Sequence, residues 1–470
     1  MKKNDKLKIL LVLGIAFVIL TWIVPAGSYQ SGAFVSSGIV RAGIFDYLLI
    51  VYYALYYRAS DIFYLLVLGG FYGVLSKTKG YRKLVSKTVN LIKGKEILAM
   101  LVVTLVMGVC TSITSDILPM LTVVPFIITV FLKRGKDRIT ALNAGFGGIF
   151  VGTFGLTVGT YGVGELISAM SLTVSDGLWF KIVMFVVSYG LYNLFAILHM
   201  KKQTKLVNYT QYDEFTTTKL DEKDIKPSKR QKIWPTLLFF SICLVITVIA
   251  YINWNDSFDV TIFDNLMTNM ESVTISEVPV LSSFLGSFNA FGKWTDLLPL
   301  SFVLLVTTIV IALVNKVKVN EFLENFALGM KKISKIAVIY VFAMSLFVLS
   351  YYFSWPTTLI NAILGNGSFN IFSLLIVAFL SSLLYVDPEY IGYILGTYLT
   401  ATFADQLIAT SLIMHAGYAL SMILVPTSFI LMIALSYLDI PYTKWLKYIW
   451  KFALAILVVL IILLAVMCYM

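Results

Sequence analysis

Apolar runs long enough to cross a bilayer recur from one end of this 470-residue chain to the other, and they are continuous, not alternating. Continuous runs select helices over a membrane barrel, whose strands alternate apolar and polar residues. Charge is correspondingly scarce. Only 13% of residues are charged and 59% are hydrophobic, against about 25% and roughly 45–50% in an ordinary soluble domain. So few charges cannot cover a water-facing globule of this length, which excludes a soluble enzyme, a disordered chain and a basic nucleic-acid binder. A spanning helix uses about 20 residues, and the expectation is an all-α polytopic membrane protein with about 11–13 transmembrane segments in the lipid bilayer.

The net charge of +11 is read as the mark of cytoplasmic loops. Met1 to Lys8 is basic and Leu7 to Val24 apolar, with no small-residue cleavage site after it, so an uncleaved first span with its start inside is expected. Between Lys77 and Lys95 the basic residues alternate with Leu84, Val85, Val89 and Ile92 at helical spacing, the pattern of an amphipathic helix on the cytoplasmic surface. Lys201 to Lys232 holds nine basic and five acidic residues. It reads as a cytoplasmic linker between a first transmembrane repeat, 1–200, and a second, 233–470. Asn253 to Asp296 is acidic and belongs outside. Lys316 to Lys335 resembles the earlier amphipathic stretch. Charge places it inside and an inverted repeat places it outside, so its side stays open. The order of spans, amphipathic stretches and polar breaks is similar in both halves, which suggests two inverted repeats with broken helices and re-entrant hairpins.

The three cysteines, Cys110, Cys243 and Cys468, each sit in an apolar stretch, which leaves neither a disulfide framework nor a thiolate metal site. His199 closes a span, and His415 is alone. No G-x-S-x-G, H-E-x-x-H or Walker A motif occurs, so neither a familiar hydrolase nor ATP-driven transport by this chain is expected.

Chemistry is sought in the polar breaks, because irregular backbone within a membrane is tolerated only inside protein or along a wet cavity. The first break is Ser112, Thr114, Ser115 and Asp116, followed by Pro119. Hydroxyls and a carboxylate are hard oxygen ligands for a small cation. Next come Gly145, Gly147, Gly148, Gly152, Gly155, Gly159, Gly162 and Gly164, interspersed with Thr153 and Thr157 and ending at Glu165. That series suits close helix packing, a broken helix, or both. In the second half Ser354 to Thr358 forms a break carrying Thr357, with Asn361 beyond it. Thr402 and Asp405 lie in a polar stripe, and Thr427 follows Pro426. Asp387-Pro388-Glu389 reads equally as a loop at a membrane face. The expected binding centre gathers Ser112, Thr114, Ser115 and Asp116 with Thr357, Asn361, Thr402 and Asp405, flanked by Thr153, Thr157 and Thr427, since each such group is costly in lipid without a partner or water. No cofactor or resident metal is expected, only Na+ or H+ as a coupling ion.

Several strings, in order along the chain, resemble the anaerobic four-carbon dicarboxylate carrier family, especially its YfcC subgroup. They are Leu20-Thr21-Trp22-Ile23-Val24-Pro25-Ala26-Gly27, Leu68 to Leu75, Asp116-Ile117-Leu118-Pro119 with Val124-Pro125-Phe126-Ile127, Pro426-Thr427-Ser428, and Ile440 to Lys447. Two departures stand out. Phe154-Gly155-Leu156 replaces the asparagine-proline expected before Thr157, and no serine-rich proline motif is recognisable near Asp387-Pro388-Glu389. The resemblance implies the ion-transporter superfamily fold, often dimeric and elevator-like, in a bacterial inner membrane. It implies ion-coupled carriage of an organic anion, an amino acid or a short peptide. The alternatives are a polytopic membrane enzyme acting on lipid or sugar substrates and a membrane scaffold derived from a transporter.

Overall fold

The computed structural model describes residues 5–30, 32–114, 116–159, 162–203, 233–275, 278–280, 283, 286, 289–365 and 367–469. Seven helices among these are long and apolar enough to cross a membrane, and the strands make only two short ribbons. The chain is an all-α polytopic membrane protein. Helix α1 (Asp5–Ile23) runs into the ribbon of β1 (Ala26–Gln30) and β2 (Ala33–Gly38). Helices α2 (Ile44–Tyr57), α3 (Ala59–Lys77) and α4 (Lys79–Leu91) follow. The basic stretch after Lys77 does form the amphipathic helix α4, capped where the Thr78 hydroxyl accepts from the Tyr81 N–H at 3.3 Å.

Two helical hairpins organise the rest. The first is α5 (Glu96–Thr114), a 3-10 turn at Pro119–Thr122, and α6 (Val124–Lys133). Its feet are tied by Arg134 Nε to Glu96 Oε1 at 2.7 Å. Helix α7 (Arg138–Gly155) starts at those feet, breaks at Leu156 and resumes as α8 (Val163–Ala169). Helix α9 (Leu178–Lys202) returns, bringing His199 Nε2 to 2.9 Å from Asp137 Oδ2. Most of the expected linker, 204–232, lies outside the described residues. Then come α10 (Trp234–Ile249), the short α11 (Trp254–Phe258) and α12 (Ile262–Ser272), α13 (Leu298–Val314), the long α14 (Val319–Phe353) and α15 (Trp355–Leu364). The second hairpin is α16 (Ile371–Tyr385) and α17 (Pro388–Thr402), whose feet meet through the Phe369 and Phe403 rings at 6.1 Å. Helix α18 (Leu407–Leu424) breaks at Pro426 and resumes as α19 (Phe429–Tyr437). Helix α20 (Tyr442–Tyr469) ends the chain.

The order hairpin, broken helix, long helix thus occurs twice, with the feet on opposite faces. The first pair of feet shares a lysine-rich face with Lys6, which donates to the Ile440 carbonyl at 3.0 Å, and Arg138, which donates to the Leu438 carbonyl at 3.1 Å. The second pair lies beside the ribbon, where Tyr29 of β1 stacks on Tyr398 of α17 with ring centroids 4.1 Å apart. The stretch from Lys316 to Lys335, whose side charge and symmetry disputed, opens α14. Its Lys335 pairs with Asp439 at 3.4 Å, which puts this end of α14 on the same face as Lys6 and Arg138. The Ser354 break has a different place from the one expected. It sits at the ribbon, where its carbonyl accepts from the Gly27 N–H at 3.2 Å. The counterpart of the turn at Asp116 is therefore Val386–Asp387, the turn of the second hairpin.

Glycine sets the packing. On α7, a Cβ at Gly148 or Gly152 would collide with Met107 or Thr111 of α5, and on α3 one at Gly69 would meet the Gly329 carbonyl of α14. Without side chains in these seams the backbones meet directly. Part of the glycine series read from sequence is thus helix contact, and the broken helix begins only past Gly155.

Candidate functional site: a cavity between two hairpin turns

The turns of both hairpins line one cavity of about 270 Å³. At the first, Asp116 Oδ1 accepts the Leu118 N–H at 3.1 Å and so fixes the chain leading into the 3-10 turn. At the second, Val386 has φ 64° and ψ −45°, and the Asp387 N–H reaches the Tyr385 carbonyl at 2.6 Å. This is the rarer hand of the γ-turn, strained for any residue and more so for a β-branched one. Such a conformation persists only where its surroundings impose it. Here the Thr427 hydroxyl donates to the Leu383 carbonyl at 2.8 Å, and the Thr357 and Tyr385 hydroxyls are 2.8 Å apart. Asp387 Oδ1 then accepts the Glu389 N–H at 3.2 Å and caps α17, with Pro388 in its first turn.

The other walls come from distant parts of the chain. Arg58, at the junction of α2 and α3, reaches Asp387 Oδ2 at 2.5 Å and stands 3.9 Å from Asp61. Its guanidinium carbon lies 6.0 Å from the Phe347 ring centre. Asp61 is buried and accepts a short hydrogen bond from the Tyr340 hydroxyl of α14. Glu165 Oε2 accepts the Gly162 N–H at 3.3 Å ahead of α8, and Asp296 Oδ1 accepts the Leu298 N–H at 2.7 Å ahead of α13. Tyr340, Tyr418 and Phe429 add aromatic surface. The lining therefore carries six carboxylates, Asp61, Asp116, Glu165, Asp296, Asp387 and Glu389, and a single basic side chain, Arg58.

Of the residues singled out from sequence, Asp116 lines the cavity. Ser115 lies outside the described residues. Ser112 and Thr157 meet at 3.3 Å, and the Thr157 N–H donates to the Ser112 carbonyl at 2.8 Å, which ties the break after α7 to the end of α5. Thr114 donates to the Cys110 carbonyl at 2.9 Å within its own helix. The Thr153 carbonyl is 2.7 Å from His415 Nε2. Thr357 and Thr427 brace the second turn from behind, as above. Asn361 accepts from Tyr29 at 3.3 Å, on the ribbon side. Asp405 is exposed after the end of α17, and Thr402 is close to Gly367 there, so neither joins Asp116. Arg58, Asp61 and Tyr340 were not singled out. Their sequence signal is an Arg and an Asp three residues apart between apolar runs, whose partners lie 329 and 279 positions away. Among the described residues, no three His, Cys, Asp or Glu side chains converge as a metal site would require.

A family model described as "C4-dicarboxylate anaerobic carrier" matches residues 4–386. No curated protein matches the chain. The crystal structure of the YdaH transporter of Alcanivorax borkumensis superposes with a TM-score of 0.43 at 13% identity, covering 99% of this chain and 98% of that one.

Proposed function

Because this chain belongs to the C4-dicarboxylate anaerobic carrier family, we propose that it is an ion-coupled secondary transporter of a bacterial inner membrane whose cargo passes through the cavity between the two hairpin turns. The cargo is a small charged molecule: an organic anion, an amino acid or a short peptide. The observation that carries the reading is the meeting of Asp116 and Asp387 at one cavity, from hairpins footed on opposite faces. On this reading the hairpins are re-entrant, and the two runs of hairpin, broken helix and long helix are inverted repeats, with 1–200 and 233–470 as the repeat-bearing parts. Half-helix ends meeting at mid-membrane are how such carriers build a site exposed to either side in turn. The coupling ion is Na+ or H+, held by carboxylate and freed carbonyl oxygens near Asp116.

The test is uptake into proteoliposomes from a pooled set of labelled metabolites, under imposed sodium, proton or electrical gradients. Wild-type protein should accumulate at least one component under one gradient, and Asp116→Asn should lose gradient-dependent uptake while remaining monodisperse. Unchanged uptake and ion dependence in Asp116→Asn would remove the cavity from the reading.

A further inference from the structure

The charged pair at the second turn is asymmetric. Arg58 is mounted on the junction of α2 and α3, where its N–H donates to the Ala54 carbonyl at 3.2 Å and its carbonyl accepts the Ile62 N–H at 3.1 Å. The Phe347 ring, centred 6.0 Å from the guanidinium carbon, backs it. Asp387 instead follows the strained Val386, with its φ of 64°. A guanidinium offers five N–H donors in a planar fork. Among the described residues only one side-chain hydrogen bond uses that fork, from Arg58 Nη2 to Asp387 Oδ2 at 2.5 Å. Arginine commonly grips a carboxylate through two parallel bonds, so this contact is half of what the pair can make. Asp61 stands 3.9 Å from Nη1, beyond hydrogen-bond reach. The Arg58 side chain keeps 24% of its surface accessible and lines the cavity, which leaves its remaining donors open to a solute there. The Tyr418 and Thr295 hydroxyls line the same cavity and make no hydrogen bond among the described residues.

Dicarboxylates, amino acids and short peptides all carry a carboxylate. We propose that Arg58 receives this carboxylate, and that the cargo takes the place of Asp387 on the guanidinium. The proposal rests on the transporter reading above and adds to it the residue that recognises the cargo and the contact that the cargo breaks. The rigid mounting of Arg58 makes Asp387, on its strained turn, the partner that gives way. The exchange also accommodates an anion in an acidic lining: one carboxylate leaves the arginine as another arrives. The displaced Asp387 is then a partly buried anion without its counter-charge, a costly state that uptake of the coupling cation relieves.

The experiment measures equilibrium binding to the full-length protein in detergent, in mildly acidic sodium buffer that supplies both candidate coupling ions. The probes are labelled succinate, aspartate and dialanine, with cadaverine as a solute that has no carboxylate. Wild-type protein should bind at least one carboxylate probe saturably, and cadaverine should not compete with it. Arg58→Gln and Asp387→Asn both break the ion pair, so a purely structural role predicts the same loss in each. A receiving role predicts opposite shifts. Arg58→Gln should raise the Kd about 10-fold or more. Asp387→Asn, whose side-chain oxygen can still cap α17, should lower it about 3-fold or more, because the arginine is no longer held by a competing charge. Melting temperatures are read for every variant. If Arg58→Gln is poorly folded, Arg58→Lys keeps a positive charge beside Asp387 and should still weaken binding, since lysine has no planar fork. A Kd left unchanged in the Arg58 variants, or unchanged or raised in Asp387→Asn, would overturn the exchange. Absence of saturable binding for all three carboxylate probes would overturn the assignment too, and the pooled-metabolite uptake above then decides separately whether the transporter reading survives.

Discussion

At the scale of single residues, the cavity is held by groups that satisfy one another across long stretches of chain. Asp61 and Tyr340 are the clearest case, a buried carboxylate and a phenol joining α3 to α14. Removing the hydroxyl leaves the carboxylate short of a donor, and an unmet buried acceptor costs about 1–3 kcal/mol. Tyr340→Phe should therefore lower the unfolding temperature measured in detergent by several degrees, whereas Tyr352→Phe, whose partner Tyr57 is exposed, should change it little. Equal melting of the two variants would show that the Asp61 contact contributes nothing. The residue scale is also where sequence reading ran out. Asp116 was recognisable because hydroxyls precede it and Pro119 follows. Asp387 has the same acid-then-proline form, yet an acid between two apolar runs looks identical whether its turn is buried or at a face. Asp405 looked deep by hydropathy, but α17 ends at Thr402 and the chain emerges before it. Arg58 is intelligible only once Asp387, distant in sequence, lies beside it.

At the scale of elements, helix α7 shows how local chemistry and close packing divide the work. Its glycine face was legible, because small residues three and four apart mean contact on a helix. What periodicity could not reveal is where packing stops and the break begins, since that depends on the Ser112 carbonyl waiting for the Thr157 N–H. Gly152→Leu should cost about 1–3 kcal/mol or more by overpacking against α5. Gly190→Leu, on the open side of α9 with nothing within 4 Å, should be nearly neutral in the same thermal assay. A matching loss in both would deny the seam its role. The N-terminus of α7 carries a pH-dependent element. Burial alone would raise the Asp137 carboxyl, but hydrogen bonds from His199 and Thr140 outweigh it and hold it at about 2. A carboxylate lowered on folding contributes stability that is complete above the ordinary carboxylate range and is lost as pH falls through that range toward about 2. Unfolding temperatures of wild type and Asp137→Asn should thus differ at neutral pH and converge as pH drops from about 5 toward about 2. A constant gap across that interval would assign the cap no titratable contribution.

At the scale of the whole molecule, the two faces differ in charge in the way a bilayer sorts them. The lysine-rich face carries Lys6, Arg138 and Lys335, and the opposite face carries the ribbon. With the native cysteines replaced, an impermeant thiol reagent applied to intact cells should label Ser272→Cys and spare Ser334→Cys, and permeabilisation should expose the latter. The opposite pattern would invert the orientation. The broad layout of helices, basic stretches and acidic loop was open to sequence reading because hydropathy and charge act over whole segments. Which break forms the turn of the second hairpin was not, because hydropathy does not distinguish a turn from a kink.

The glycine seam between α3 and α14 has a mechanical meaning. Gly69 and Gly73 face Gly329 and Asn325 backbone to backbone, with Ile333 and Phe326 laid over Gly69 and Gly70, so the two helices interlock and sliding one along the other would drive side chains and carbonyls into the facing backbone. The pair behaves like a keel. Any cycle of opening and closing has to be taken up elsewhere, and Arg58, mounted at the end of that keel and gripping Asp387, is the mooring line the second hairpin would have to slip.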